Sequence, residues 1–367
     1  MKSVAILGTR GYPSFYGGFE TAVRRLAPYL ADQGWQVLVY GRKGAVKEES
    51  VDPRIERVTT PGIDNKSLST LSYGLTAALH AAVKKPDVVL VMNVANGFWL
   101  PILRMRGIKT IVNVDGMEWE RAKWGNLAKR IFLLGARFTA RWADEIVVDA
   151  QAIGARWAKE FGRNGIFIPY GGDVPGDTEL EPGLKRRGYI LMVARFVPEN
   201  SVQEFFDAVP NLAASYQVVI VGSSGQDGHF DTRARELAHT YPSVQWLGHL
   251  HDDARLFSLW KNAGAYFHGH SVGGTNPALV QAMACGAPIV ARNTVYNREV
   301  LTQAGVFVEP KSHEIAAAIA ALMEDPTRQA ALSRAARLRG EQAYSWTTVC
   351  ADYEAALDGL LDRVYAE

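Results

Sequence analysis

Cysteine is nearly absent: Cys285 and Cys350 are the only two in 367 residues. Two thiols cannot build a disulfide framework or a cysteine metal cage, so a reducing cytoplasm is the default expectation. Net charge is also nearly absent, at +2. That balance argues against a nucleic-acid surface spread over the molecule, and no nucleic-acid partner is expected. No apolar run approaches the ~18 residues of a membrane span. The opening MKSVAILG lacks the apolar core and cleavage site of a signal peptide and reads as a first strand. A cytoplasmic protein, at most peripheral to a membrane, is predicted. Short-period repeats and low-complexity tracts are missing. So is the G-x-G-x-x-G fingerprint: Gly8 and Gly11 stand three apart and the next glycines are Gly17 and Gly18, which disfavours NAD.

What is present is apolar material for two cores, 48% of the chain. Short aliphatic runs alternate with helical patterns, the signature of parallel sheets with crossover helices. Strands are predicted at 4–7, 36–40, 87–92, 110–114 and 145–148, and again at 189–193, 217–221, 244–247, 265–268 and 288–291. A helix from Phe19 to Ala31 carries Val23, Leu26, Ala27 and Leu30 on one face, and Gly34 ends it. The fold class is therefore α/β, with two Rossmann-like halves. Residues 1–172 form the first domain, 173–188 a Gly-, Pro- and charge-rich linker, and 189–345 the second domain. Residues 346–367 form a last helix that could pack on either domain.

The richest stretch is HGHSVGGTNPALVQAMACGAPIV, His268 to Val290. Asn276 can cap a helix, Pro277 suits its first position and Gly286 can end it. Gly273, Gly274 and Thr275 let backbone N–H groups approach a ligand, and such a helix start is a ready phosphate site. A plain tight turn before a core helix fits the same residues. The first loop, GTRGYPSFYGGFET, projects Arg10 and Tyr16 from the carboxyl end of the first strand, where open α/β sheets place ligands. There Gly17 and Gly18 can offer N–H groups to an anion. A long surface loop is the other reading. His268 and His270 lack a carboxylate at ligand spacing and suit a core better than a metal.

Four segments carry a resemblance: LGTRGYPSFYGGFET, NVDGMEWERAKW from Asn113, VARFVPEN from Val193 and GHSVGGTNPALVQAMACG. In this order they resemble the retaining GT-B glycosyltransferases of family 4, most closely the bacterial branch that transfers rhamnose from dTDP-L-rhamnose in polysaccharide synthesis. The likeness runs to the pair Ser345 and Trp346. It implies two Rossmann-like domains facing across a cleft, with acceptor on the first, nucleotide sugar on the second, the last helix crossing back to the first domain, and no divalent metal or other cofactor. It makes Arg195 the phosphate clamp, while Asn200 stands where many relatives have lysine. Gly17, Gly18, Gly222, His270, Gly273, Gly274, Thr275 and Asn276 complete the implied donor set. Arg10, Tyr16, Phe19, Glu20 and Trp119 form the acceptor set. Asp115 and Glu118 can bind sugar hydroxyls or assist deprotonation, or else merely cap a following helix. The family's two glutamates, with seven residues between them, fall on Gly273 and Gln281. Gln281 keeps an acceptor oxygen but lacks the charge that strengthens a bond to ribose, which implies weaker nucleotide affinity or a deoxyribose. Alternatives are a UDP-hexose donor, a sugar-nucleotide epimerase, and a scaffold or sensor that has lost its chemistry.

From Arg121 to Arg141 the chain is basic, with no acidic residue. Trp124, Leu127, Ile131, Phe132, Leu134 and Phe138 interleave with the cations at helical spacing. Such a face suits an anionic leaflet and a lipid-linked acceptor. It equally suits a core-packed helix with a solvated basic side.

Overall fold

The computed structural model describes residues 1–14, 17–44, 51–63, 69–121, 124–225 and 227–365. They divide into two compact units, Met1–Tyr170 with the segment from Trp346, and Gly171–Ser345.

In the first unit the strands are β1 (Ser3–Leu7), β2 (Gln36–Gly41), β3 (Ile55–Thr59), β4 (Val88–Met92), β5 (Lys109–Asn113), β6 (Glu145–Val148) and β7 (Ile166–Phe167). They pair in parallel in the order β3-β2-β1-β4-β5-β6-β7. β4, VVLVM, is buried throughout, as a central strand of a parallel sheet covered on both faces must be. From β1 the chain winds outward through β2 and β3, and from β4 it winds the other way. The carboxyl ends of β1 and β4 therefore form the topological switch point. Gly8 sits there with φ +89°. A Cβ on it would come within 2.1 Å of the Met92 carbonyl oxygen.

The final helix, Trp346–Tyr365, belongs to this unit and begins at the predicted residue. Val349, Cys350, Tyr353, Leu357 and Leu360 form its buried stripe, at the three- and four-residue spacing of one helix face. Polar ties add register. Glu354 accepts from Tyr29 Oη at 3.1 Å and Trp35 Nε1 at 3.4 Å, and Asn113 Nδ2 donates to Tyr353 Oη at 2.6 Å.

In the second unit β8 (Tyr189–Val193), β9 (Gln217–Val221), β10 (Val244–Trp246), β11 (Ala265–His268), β12 (Ile289–Arg292) and β13 (Gly305–Val308) pair in parallel, in the order β10-β9-β8-β11-β12-β13. Its switch point lies between β8 and β11. Phe205 stacks on Phe267 at 5.2 Å in the core below.

Three strands were not foreseen. β3 buries only Ile55 fully and so lacks a two-sided apolar run. β7 has two residues, and β13 is GVFV, mostly half-buried at a sheet edge. The segment read as a linker packs on the second unit. Lys261 Nζ donates to Gly176 O at 2.9 Å, Ser258 Oγ donates to Glu179 O, and Arg255 grips Glu181 through Nε at 2.9 Å and a terminal nitrogen at 2.6 Å. Its polar composition reflects these surface bonds to the helix Asp253–Asn262.

Replacing Tyr353 by Phe leaves the buried Asn113 amide without its acceptor, which costs about 1–3 kcal/mol. The urea midpoint of Tyr353→Phe is expected to fall accordingly, and an unchanged midpoint would show that the bond contributes nothing.

Candidate functional site

The candidate donor site lies in the second unit, where the loops after β8 and β11 leave neighbouring strands. Backbone and hydroxyl bonds tie these loops together. Ser271 donates to Glu199 O through N–H at 3.0 Å and Oγ at 2.7 Å, and Ser201 Oγ donates to Gly269 O at 2.8 Å. Arg292 in turn donates to Ser201 Oγ at 3.0 Å.

The helix Pro277–Ala284 starts and stops as its sequence predicts. Asn276 Oδ1 accepts from Ala278 N–H at 3.0 Å, and Gly286 ends it with φ +70° and a bond to Met283 O at 2.9 Å. The Leu279 N–H is taken by Asn276 O at 3.0 Å, and Pro277 has none. The donors left for a ligand are therefore those of the preceding loop. Gly273, Gly274 and Asn276 N–H have no acceptor among the described residues. Gly273 holds φ +95°, and Gly274 and Thr275 are buried. The loop, rather than the first helical turn, is the anion-directed element.

Arg195 is exposed, and its guanidinium has no partner among the described residues. An uncommitted guanidinium on a loop fastened to the glycine turn is suited to gripping phosphate oxygens in bidentate fashion. Asn200 does not stand beside it as a second open donor. At 2% exposure its amide donates to Arg195 O at 2.9 Å, so it shapes the loop that carries Arg195. Gly222, also assigned to the donor, is needed for a close approach. At φ +140° a Cβ would lie 1.8 Å from Ala194 O, and its N–H is already bonded to Gly248 O at 2.7 Å.

Gln281 departs furthest from expectation. It is 8% exposed, its Oε1 accepts from Asp173 N–H at 2.9 Å and its Nε2 donates to Asp173 O at 2.7 Å. The amide is spent on this two-way pairing and not presented to a ribose. A carboxylate has no donor for the Asp173 carbonyl, which explains glutamine here without reference to the nucleotide. His268 and His270 stack in parallel at 4.4 Å, and Tyr266 Oη lies 3.0 Å from His268 Nδ1. Burial, aided by His270, holds the His268 pKa well below its ordinary 6.5, so the imidazole is neutral. Among the described residues no three His, Cys, Asp or Glu side chains cluster as metal ligands would.

The candidate acceptor site lies in the first unit. Asp115, half-buried just past β5, adopts φ +56°, and its N–H donates to Asn113 Oδ1 at 2.9 Å. The same Asn113 is held by Tyr353, so the final helix braces this turn. Burial foremost, then the charges of Asp115 and Asp149, push the neighbouring Tyr170 phenol well above its usual range. Glu118, expected to meet sugar or to help deprotonate it, is buried and engaged inside the protein. It pairs with Arg121 Nε at 2.7 Å and accepts from Trp124 Nε1 at 2.9 Å. Glu20 is likewise buried and accepts the Arg10 N–H at 3.2 Å, closing the first loop. Both carboxylates are therefore positioning residues. Arg10, Phe19 and Trp119 remain partly exposed, with Trp119 edge-on to Phe161 at 5.8 Å. Gly17 and Gly18 open the helix Gly18–Asp32 in this unit, whereas the other donor assignments lie in the second. Tyr16 lies outside the described residues.

Two switch-point sheets of this kind, one bearing an anion-directed loop, form a frame suited to a phosphate-bearing ligand. Comparison with known proteins gives the family. Residues 17–171 match the glycosyl transferase 4-like domain and residues 181–339 match the glycosyl transferases group 1. The chain carries both of these glycosyltransferase domains, and its fold is that of the GT-B proteins. A curated relative is the GDP-mannose-dependent monoacylated α-(1-6)-phosphatidylinositol monomannoside mannosyltransferase of Corynebacterium glutamicum, 28% identical over 218 residues, 52% of this chain and 56% of that protein. The chain thus spans a little over half the length of that relative. Glycogen synthase of Mycobacterium tuberculosis is 27% identical over 388 aligned positions, 92% of this chain and 90% of that one. Among solved structures, sucrose-phosphate synthase from Thermosynechococcus elongatus aligns with a TM-score of 0.83 at 17% identity, over 99% of this chain and 100% of that one. Anabaena HepE in complex with UDP-glucose aligns at 0.73 and 16% identity, over 98% and 100%.

Gln281→Glu is expected to lower the melting temperature, because one buried bond is lost and a carboxylate faces the Asp173 carbonyl, a cost of about 1–3 kcal/mol. A variant as stable as the parent would return Gln281 to the ligand. For His268, the unfolded chain takes up a proton near pH 6.5 while the folded chain does not. Its contribution to stability is therefore complete above that pH and is lost as pH falls below it. Denaturation followed from pH 7 to about 5 is expected to show this decline, reduced in His268→Asn.

Proposed function

We propose that the chain moves a hexosyl group from a nucleotide sugar to a saccharide or lipid-linked saccharide acceptor with retention of configuration, in bacterial polysaccharide synthesis. L-rhamnose from dTDP-β-L-rhamnose is the donor this reading favours, on the strength of the HSVGGTNP loop and Asn200. The observation that carries the reading is the Arg195 guanidinium, without a partner among the described residues, on a loop bonded through Ser201 and Ser271 to the loop whose Gly273, Gly274 and Asn276 N–H groups have no acceptor there. Fixed donors of this kind can neutralise the charge that grows on a departing nucleoside diphosphate, and the reaction so described needs no divalent metal. The leaving phosphate takes the acceptor proton in a front-face substitution, so no nucleophilic carboxylate is assigned. In this reading Asp115 orients an acceptor hydroxyl. A UDP- or GDP-hexose donor is the second reading, favoured by the relatives named for GDP-mannose and solved with UDP-glucose.

Calorimetry without added metal, comparing dTDP-rhamnose, dTDP-glucose, UDP-glucose and UDP-N-acetylglucosamine, separates these readings. Selective binding of dTDP-rhamnose supports the first, and tight binding of a UDP-sugar overturns the rhamnose assignment. Arg195→Ala is expected to lower kcat/KM for transfer by about 10²-fold. An unaffected rate would remove Arg195 from the site.

The lipid-linked form of the acceptor is supported by the helix Asn126–Trp142. Gly135, Ala136 and Thr139 form its buried face, and a Cβ on Gly135 would lie 2.5 Å from Val94 O. Phe132 and Phe138 pack inward on Trp124 and Phe98, each at 5.2 Å. Leu127 and Leu134 stay exposed, at 73% and 44%, beside the exposed Arg130, Arg137 and Arg141. Leucine between arginines on one outward face suits an anionic leaflet. No helix among the described residues is long and apolar enough to cross a membrane, so attachment at the cytoplasmic leaflet would be peripheral. Flotation with vesicles containing anionic lipid is expected to carry the protein, and Leu127→Glu/Leu134→Glu is expected to abolish this. Flotation that ignores lipid charge would leave the helix a solvated face.

A further inference from the structure

The second unit contains a cavity of about 750 Å³ that none of the donor residues line. Its cations come from two segments far apart in sequence. Arg186 and Arg187 lie just before β8, and Arg334 and Arg337 lie on the helix Pro326–Ala343, with Glu341 as the only carboxylate in the lining. Arg187 is fixed in the wall. It donates to Ala263 O at 2.6 Å, Gly286 O at 3.1 Å and Ser333 Oγ at 2.9 Å. Burial foremost, then the charges of Arg186 and Arg337, push its pKa down to about 10. Arg186, Arg334 and Arg337 are exposed and have no side-chain partner among the described residues.

Arginines that only keep a helix soluble have no reason to converge from separate segments on one concavity. The volume falls in the ~300–1,000 Å³ range of small-molecule sites. The guanidinium fork matches phosphate in bidentate fashion, and Gln329, buried in the wall, adds a neutral polar group, while Ser333 holds Arg187 in place. The geometry points to a second ligand site here, for a small molecule carrying at least two phosphate-type negative charges. It is separate from the donor site. Gly286, which Arg187 and Ser333 grip, follows the C-terminal end of the helix Pro277–Ala284, whereas the anion-directed loop precedes its N-terminus, about 12 Å away along the axis. The site stands whether or not the donor reading holds.

The test is calorimetric titration of the full chain with inorganic pyrophosphate at low ionic strength, without metal, using Arg195→Ala to weaken the donor site. Arg195→Ala is expected to retain pyrophosphate binding, and adding Arg334→Gln and Arg337→Gln is expected to weaken it about tenfold or more. Circular dichroism and melting temperature establish that the variants are folded, and Arg186→Gln offers an independent removal of charge from a residue outside the helix. Identical binding by Arg195→Ala with and without the added substitutions, or no binding by Arg195→Ala at all, overturns the proposal. If Arg195→Ala binds as the parent does while Arg334→Gln/Arg337→Gln loses all binding, the cavity stands and the phosphate role of Arg195 falls.

Discussion

The parallel pairing of β8 with β11 is the constraint on which the second unit depends. These strands lie next to each other although two further strands separate them in sequence, so their following loops leave a common edge in opposite directions. Bonds from Ser201 and Ser271 then lock the two loops. The result is that Arg195 and the N–H groups of Gly273 and Gly274 are presented on backbone that is held before any ligand arrives. Preorganised donors of this kind need no rearrangement when negative charge develops.

A second theme is neutral residues where the resemblance leads one to expect charge. Asn200 and Gln281 both turn their amides to backbone, Asn200 to Arg195 O and Gln281 to both polar groups of Asp173. An amide can donate and accept at once, which a lysine or a glutamate cannot. Buried against peptide groups, it satisfies them without the desolvation penalty of an ion. The cation that this loop presents is the exposed Arg195 guanidinium. In the first unit the buried carboxylates follow the same logic, with Glu118 and Glu20 closing local structure and Asp115 left half-buried beside a turn braced by the last helix.

Much of this was legible along the chain. Continuous runs such as VVLVM and AYFH report strands buried on both faces, and Asn276, Pro277 and Gly286 mark a helix start and stop by backbone chemistry that acts within a few residues. The edge strands β3, β7 and β13 were not legible, because an edge strand is short or half-exposed and its apolar pattern fades. Nor was the strap over the helix Asp253–Asn262, whose polar residues look like a linker until their partners come into reach.

The sequence by itself determined the fold class, the switch-point loops and the residue types able to meet phosphate, because periodicity, caps and glycines act locally. Only the tertiary structure decided which polar side chains are free and which are spent. Glu118, Glu20, Asn200 and Gln281 read as ligand groups in one dimension. Each proved to be occupied by a partner, and for Gln281 that partner lies 108 residues away. Hydrogen bonds between distant segments exist only once the sheets have brought those segments together, and the same long-range convergence gathers the arginines of the second cavity.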